Sequence, residues 1–273
     1  MGGLAGKNAG TINHCSASGS ISGNENIGGL VGANYGTIKN SHSSCTVTSQ
    51  NSPSYIGGLV GYNRETVVNC YSTGDVSGVD NLGGLVGLNE IDSYILNCYS
   101  RSSATGDSII GGLVGWNAKG IISNSYSTGT VSGNKKIGGL VGKLYSSPNT
   151  THSYWNTETS GMDTSREGSG RTTAEMLSDT TYLNNTWDFV CESGNGTENV
   201  WAMLEGMNDG YPILAWQYKE PVPTQKTLPE VTGQGSVTVS ETPTAQDICG
   251  TVLEGTTNDP LSYDSVGTYK ITW

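Results

Sequence analysis

The hexapeptide Ile-Gly-Gly-Leu-Val-Gly begins at Ile27, Ile56, Ile110 and Ile137. Leu82 opens a fifth copy, and Met1 to Gly6 is a degenerate sixth. Starts at positions 1, 27, 56, 82, 110 and 137 set a period of 26–29 residues. An Asn follows each of the first five copies at Asn8, Asn34, Asn63, Asn89 and Asn117, and Leu144 takes the sixth place. A period of this length cannot bury its own apolar residues, but stacked copies can.

Within one period the recurring apolar positions are Leu30, Ile38, Val47 and then Ile56. Gaps of eight or nine residues, separated by Gly pairs and Ser/Thr/Asn clusters, predict three short strands per turn. The Gly28-Gly29 pair is expected at a corner or bulge. Edge-to-edge pairing of turns then sets a rise of about 4.8 Å per copy. The expected fold is all-β: a β-solenoid, like a parallel β-helix, of about six repeats. A leucine-rich repeat is the competing architecture, but one Leu per hexapeptide and no helical apolar spacing argue against it.

A second block recurs in each period, clearest from Val67 to Gly78 and Ile122 to Gly133. It places Asn40, Asn69, Asn97 and Asn124 in one row, with His14 and His152 at its ends. Such a row is expected to bond amide to amide along the axis. The next positions hold Cys15, Ser41, Cys70, Cys98, Ser125 and Ser153, so a small inward side chain is expected. Cys70 and Cys98 are neighbours for which a bridge and a buried thiol row both remain open. Tyr71, Tyr99, Tyr126 and Tyr154 form a further stripe. If exposed it stacks sugars or a partner protein, and if turned inward it is packing.

Gly-Gly-Leu-Val-Gly, the following Asn, and Asn-Cys-Tyr-Ser-Thr-Gly closing on Val-Ser-Gly together resemble the GLUG repeat, over residues 1–154. The resemblance implies a β-solenoid stalk in a bacterial adhesin-like protein, extracellular or at the cell surface. It also implies partners such as host glycans or surface proteins. GLUG repeats also occur in some metallopeptidases, but zinc chemistry there needs His-Glu-x-x-His. The three His here are His14, His42 and His152, and none precedes Glu.

Residues 155–217 resemble the segment that closes such arrays, through Trp155, Thr172 to Met176, Trp187-Asp188-Phe189, Val200-Trp201 and Tyr211 to Trp216. A solenoid end needs cover against edge-to-edge polymerisation, and this segment is rich in Trp. Thr173 is expected to cap a short helix there. Pro221 and Pro223 mark residues 218–228 as a linker. Residues 229–273 alternate as strands and resemble part of an Ig-like, HYR-type sandwich module, with Ala245 to Gly250 matching its Cys element. Neither Cys249 nor Cys191 has an evident partner. Both ends read as cut, so the chain is expected to be part of a longer multidomain protein.

Charge is divided unevenly. Residues 1–150 carry 8 Lys/Arg against 7 Asp/Glu, whereas residues 151–273 carry 5 against 17. The nearly neutral front half shows no basic stripe for nucleic acid. No apolar run is long enough for membrane insertion. No Cys-x-x-Cys, phosphate loop or Ser-His-Asp grouping is present, and Asp75, Asp80, Asp92 and Asp107 do not share a repeat position. No cofactor, metal or catalytic residue is therefore expected. The expected function is a non-catalytic structural or interaction segment. The alternatives are a polysaccharide-binding or polysaccharide-cleaving β-helix protein and, through its broken Ser/Thr rows, an ice- or surface-binding protein.

Overall fold

A computed structural model describes residues 1–49, 54–145, 147–218, 237–240, 242–249, 251–263 and 271. The hexapeptide copies stack in register as a β-solenoid of about five full turns. Each turn contributes to four parallel sheets rather than the expected three strands. Sheet I holds the Ile-Gly pairs, Ile27–Gly28 against Ile56–Gly57, and continues through Asp80–Gly83, Ser108–Gly111 and Lys135–Gly138. Sheet II holds the Val-Gly-x-Asn strands, from Ala5–Asn8 and Val31–Asn34 up to Val141–Leu144. Sheet III runs from Thr11–Asn13 to Thr150–Thr151. Sheet IV starts at Ser16–Ser22 and His42–Thr48 and includes the Tyr-Ser strands.

The fourth strand comes from the hexapeptide itself, which supplies two strands joined by a two-residue bend. Sheets I and II meet there at glycine. A Cβ on Gly28 would run into the carbonyl oxygens of Val31 and Leu59. No larger residue fits where backbones approach this closely.

Two apolar columns run along the stack. One joins the Leu30, Val31 and Ile38 rows, and the other joins the Ile27 and Val47 rows. Between them lies a row of buried serines. Ser72 donates to the Gly84 carbonyl at 2.7 Å, and Ser127 donates to that of Gly139 at 2.8 Å. Cys45 lies buried in strand His42–Thr48 against the second column. Each first-turn residue has only one neighbouring rung, so Ile12, Cys15 and Ala17 are partly covered.

The aromatic segment does more than close the last turn. Trp155 lies on Gly139 at the top of the first column and donates its indole N–H to the Met162 carbonyl at 2.8 Å. Residues 164–166 satisfy the last edge: Gly139 N–H donates to Thr164, Val141 N–H donates to Ser165 Oγ, and Arg166 N–H donates back to Val141. Strand Ser169–Arg171 then pairs with Tyr154–Asn156. From there the chain forms two short helices, α1 (Thr173–Met176) and α2 (Thr180–Leu183), and descends along sheet IV. The N-cap of α1 is Thr172, one residue before the expected Thr173, and Glu175 completes a capping box. The descending arm reaches the first turns, where Trp216 lies 6.0 Å from His14 and 6.2 Å from His42.

The C-terminal segment shows two antiparallel pairs, Val237–Thr238 with Ser262–Tyr263 and Thr244–Gln246 with Val252–Glu254. Apart from Tyr218, the expected linker lies outside the described residues, as does much of the expected sandwich module. Cys191 and Cys249, which had no partner in the sequence reading, are bonded to each other, tying this segment to the arm. Cys15, Cys45, Cys70 and Cys98 are free thiols.

Candidate functional site

The tyrosine stripe is inside the molecule, so of its two readings, an exposed stacking row or inward packing, the structure selects packing. His42, Tyr71, Tyr99, Tyr126 and Tyr154 occupy one register position of sheet IV. The rings of the first four stack at 4.7, 4.9 and 5.1 Å, close to the rung spacing. Tyr99, Tyr126 and Tyr154 are buried and Tyr71 is half-buried, because the arm covers them with Tyr182, Trp187, Trp201 and Tyr211.

The arm also satisfies the phenols. Gln217 donates to the Tyr99 hydroxyl at 2.9 Å, and Tyr126 donates to the Pro212 carbonyl at 2.6 Å. Arg101 reaches from the same sheet to Asn208 at 2.9 Å and pairs with Asp209. Burial pushes the Tyr99, Tyr126 and Tyr182 phenols well above the ordinary tyrosine range.

The expected asparagine row is also different in kind. Asn40, Asn69, Asn97 and Asn124, with His14 and His152, all have positive φ between 43° and 52°. They turn the corner between sheets III and IV, a left-handed conformation that Asn tolerates better than most residues. Only partial amide bonding follows: Asn69 donates to Asn40 at 3.3 Å, and Asn40 donates to Asn13 at 3.1 Å. The corner carbonyls instead anchor the arm. Trp216 donates to Asn69 O at 3.0 Å, and Trp187 donates to His152 O at 2.9 Å. The small residue after each corner turns its donor onto the carbonyl two residues back, as Ser125 does at 2.8 Å and Cys98 at 3.1 Å. This local bond accounts for the exchange of Cys and Ser along the row.

The continuous amide ladder is the buried row after the hexapeptide. Asn8 donates Nδ2 to Asn34 Oδ1 at 2.8 Å, Asn34 to Asn63 at 2.9 Å, Asn63 to Asn89 at 2.9 Å, and Asn89 to Asn117 at 3.1 Å. Every bond points the same way. Where Leu144 breaks the row, Glu167 enters from the closing segment and accepts from Asn117 at 2.7 Å. The periodic Asn spacing was the signal for this ladder. Glu167 has no repeat position, so no sequence signal could have found it.

A second aromatic grouping, missed in the sequence, lies on sheet II. Its members include the variable position of Val-Gly-x-Asn, which holds Ala33, Tyr62, Leu88, Trp116 and Lys143 in turn. Ring centroids are 5.9 Å apart for Tyr35 and Tyr62, 6.0 Å for Tyr62 and Tyr55, and 6.5 Å for Tyr55 and Trp116. Lys143 Nζ stands 3.4 Å over the Trp116 ring. Because the position is aromatic in only two of these turns, it does not read as a stripe. Burial and a hydrogen bond to Glu90 at 3.0 Å push the Tyr62 phenol up to about 12.

Among the described residues no three His, Cys, Asp or Glu gather as a metal site, and no helix is long and apolar enough to cross a membrane. Together the stacked rows and the closing arm define a capped β-solenoid repeat protein. The GLUG motif family matches residues 23–48, 52–77 and 106–132, and in those stretches the chain is similar to that family. The unmatched copies lie in the same sheets as the matched ones. No curated protein and no solved structure matches the chain.

Proposed function

We propose that this chain is a non-catalytic structural and interaction segment of an adhesin-like bacterial protein, working outside the cell or on its surface. One observation carries this reading: the polar residues that recur between turns are the ones that hold turn to turn. Asn63 and Asn89 bond the next amide, while Ser72 and Ser127 bond a neighbouring strand. A repeat whose buried Asn ladder and inward serines are engaged in stacking supports a scaffold rather than a reaction centre. The Cys191–Cys249 bond fits an oxidising compartment. Similarity to the GLUG motif and the near-neutral front half support a stalk that presents its faces to host glycans or surface proteins.

The test has two readouts on the full chain. Immobilised protein is screened against glycans and extracellular proteins, and soluble polysaccharides incubated with it are assayed for new reducing ends. Retention of a partner without reducing-end release is expected. Release that disappears when one carboxylate is replaced would overturn the non-catalytic reading.

A further inference from the structure

Cys15, Cys45, Cys70 and Cys98 stand outside the Cys191–Cys249 bond, and two of them face each other. Val68 is opposite Leu96 and Tyr71 is opposite Tyr99, so the register sets Cys70 against Cys98 on the next rung. Parallel rungs stand about 4.8 Å apart. Disulfide-bonded cysteines have Cα atoms about 4.4–6.8 Å apart. Both side chains point the same way, each Sγ donating to the carbonyl two residues back at 3.1 Å. Cys15 is two rungs below Cys70, with Ser41 between them, and Cys45 lies in the other apolar column.

The serines of this row show what its small residue does. Ser41, Ser125 and Ser153 donate to the carbonyl two residues back at 2.7, 2.8 and 2.8 Å. Each also accepts the backbone N–H of the rung below: Cys15 on Ser41 at 3.0 Å, Cys98 on Ser125 at 3.1 Å, and Ser125 on Ser153 at 3.1 Å. Sulfur is a weak donor and a weak acceptor. Cysteine on two successive rungs is therefore a poorer stacking residue than the serines around it. What it adds is the capacity to form a bond between rungs, which serine lacks.

We propose that Cys70 and Cys98 form a disulfide that staples the third copy to the fourth during oxidative folding. Both side chains are buried, and burial pushes the Cys70 thiol well above its ordinary range. The finished stack thus holds it protonated and unreactive, so the bond forms while the rungs assemble. The oxidant is a disulfide compound, the class that also serves Cys191–Cys249. One cysteine thiolate attacks that disulfide and expels a first thiol, and the other attacks the mixed disulfide and expels a second. One S–S bond forms, one is reduced, and the two cysteine protons end on the two released thiols.

The test refolds the reduced full chain in a mixture of oxidised and reduced glutathione, then quenches it with acid, unfolds it and alkylates it. Cys70 and Cys98 share one tryptic peptide, residues 65–101. That peptide is expected to lose two hydrogens and to resist alkylation, leaving Cys15 and Cys45 as the alkylated cysteines. Formation of Cys191–Cys249 in the same sample reports that oxidant was sufficient. Cys98→Ser places at this row the residue that Ser125 already supplies, so the variant should fold and its Cys70 should be alkylated. The proposal is overturned if both cysteines of peptide 65–101 are alkylated in chains that carry the Cys191–Cys249 bond. It is equally overturned if Cys70 stays blocked in Cys98→Ser, which would give it a different partner.

Discussion

Glu167 accepts from the Asn117 side chain at 2.7 Å through one carboxylate oxygen and from the Asn149 backbone N–H at 2.7 Å through the other. The carboxylate therefore ends the one-way amide ladder with two acceptors facing two donors. Glu167→Gln keeps the size but puts an NH2 against a donor, and should cost about 2 kcal/mol. Glu167→Leu orphans both donors and should cost about 3–5 kcal/mol. Urea unfolding of the parent and both variants checks the order. Equal stability of all three would remove Glu167 from its terminating role.

The two asparagine rows should respond to substitution by different amounts and for different reasons. Asn89→Ala orphans the Asn63 donor and the Asn117 acceptor, for a loss of about 2–4 kcal/mol. Asn97 sits at φ 51° on a corner, where glycine is at ease, so Asn97→Gly should change stability by less than about 1 kcal/mol. Asn97→Ala should cost about 1–2 kcal/mol, from the left-handed backbone alone. Thermal melts of the three variants separate the rows.

Burial raises the folded-state pKa of Tyr99, Tyr126 and Tyr182 above the unfolded value near 10. A folded pKa above the unfolded one gives stability that is complete below about pH 10 and is lost as pH rises beyond it. Ultraviolet titration should therefore find these three phenols still protonated at the start of the alkaline range. They should then ionise in one cooperative step, together with loss of the far-ultraviolet strand signal. A single smooth titration of all tyrosines near 10 would mean that the arm does not cover the stripe.

The Cys191–Cys249 bond closes a loop across 58 residues of separation, for which chain entropy alone gives about 4 kcal/mol. It joins the arm to the C-terminal segment. Cys249→Ser should leave the main melting transition in place and speed chymotryptic cutting within residues 251–263. Mass spectrometry of timed digests measures this. Unchanged cutting would show that the segment is held by other contacts.

The solenoid was readable because its evidence is periodic. Ile27, Ile56, Ile110 and Ile137 recur at one spacing, and parallel pairing converts that spacing into register. The regular Asn positions likewise mark both amide rows, but not which of them bonds continuously. That depends on backbone angle: Asn97 is turned outward at a left-handed corner, whereas Asn89 lies at the end of a strand and points into the stack. The four-sheet turn was hidden because two glycine-rich strands of the hexapeptide read as one strand and a corner.

Stacking of near-identical segments is written into the chain, because equal spacing of Ile, Gly and Asn leaves edge-to-edge pairing as the way to bury them together. Which face of the rod is covered was settled by a long-range event, the return of residues 172–217 over Tyr99 and Tyr126. Repeats specify contacts between equivalent positions. The arm lacks that symmetry and docks through contacts such as Trp216 on Asn69, 147 residues apart, which no local pattern encodes.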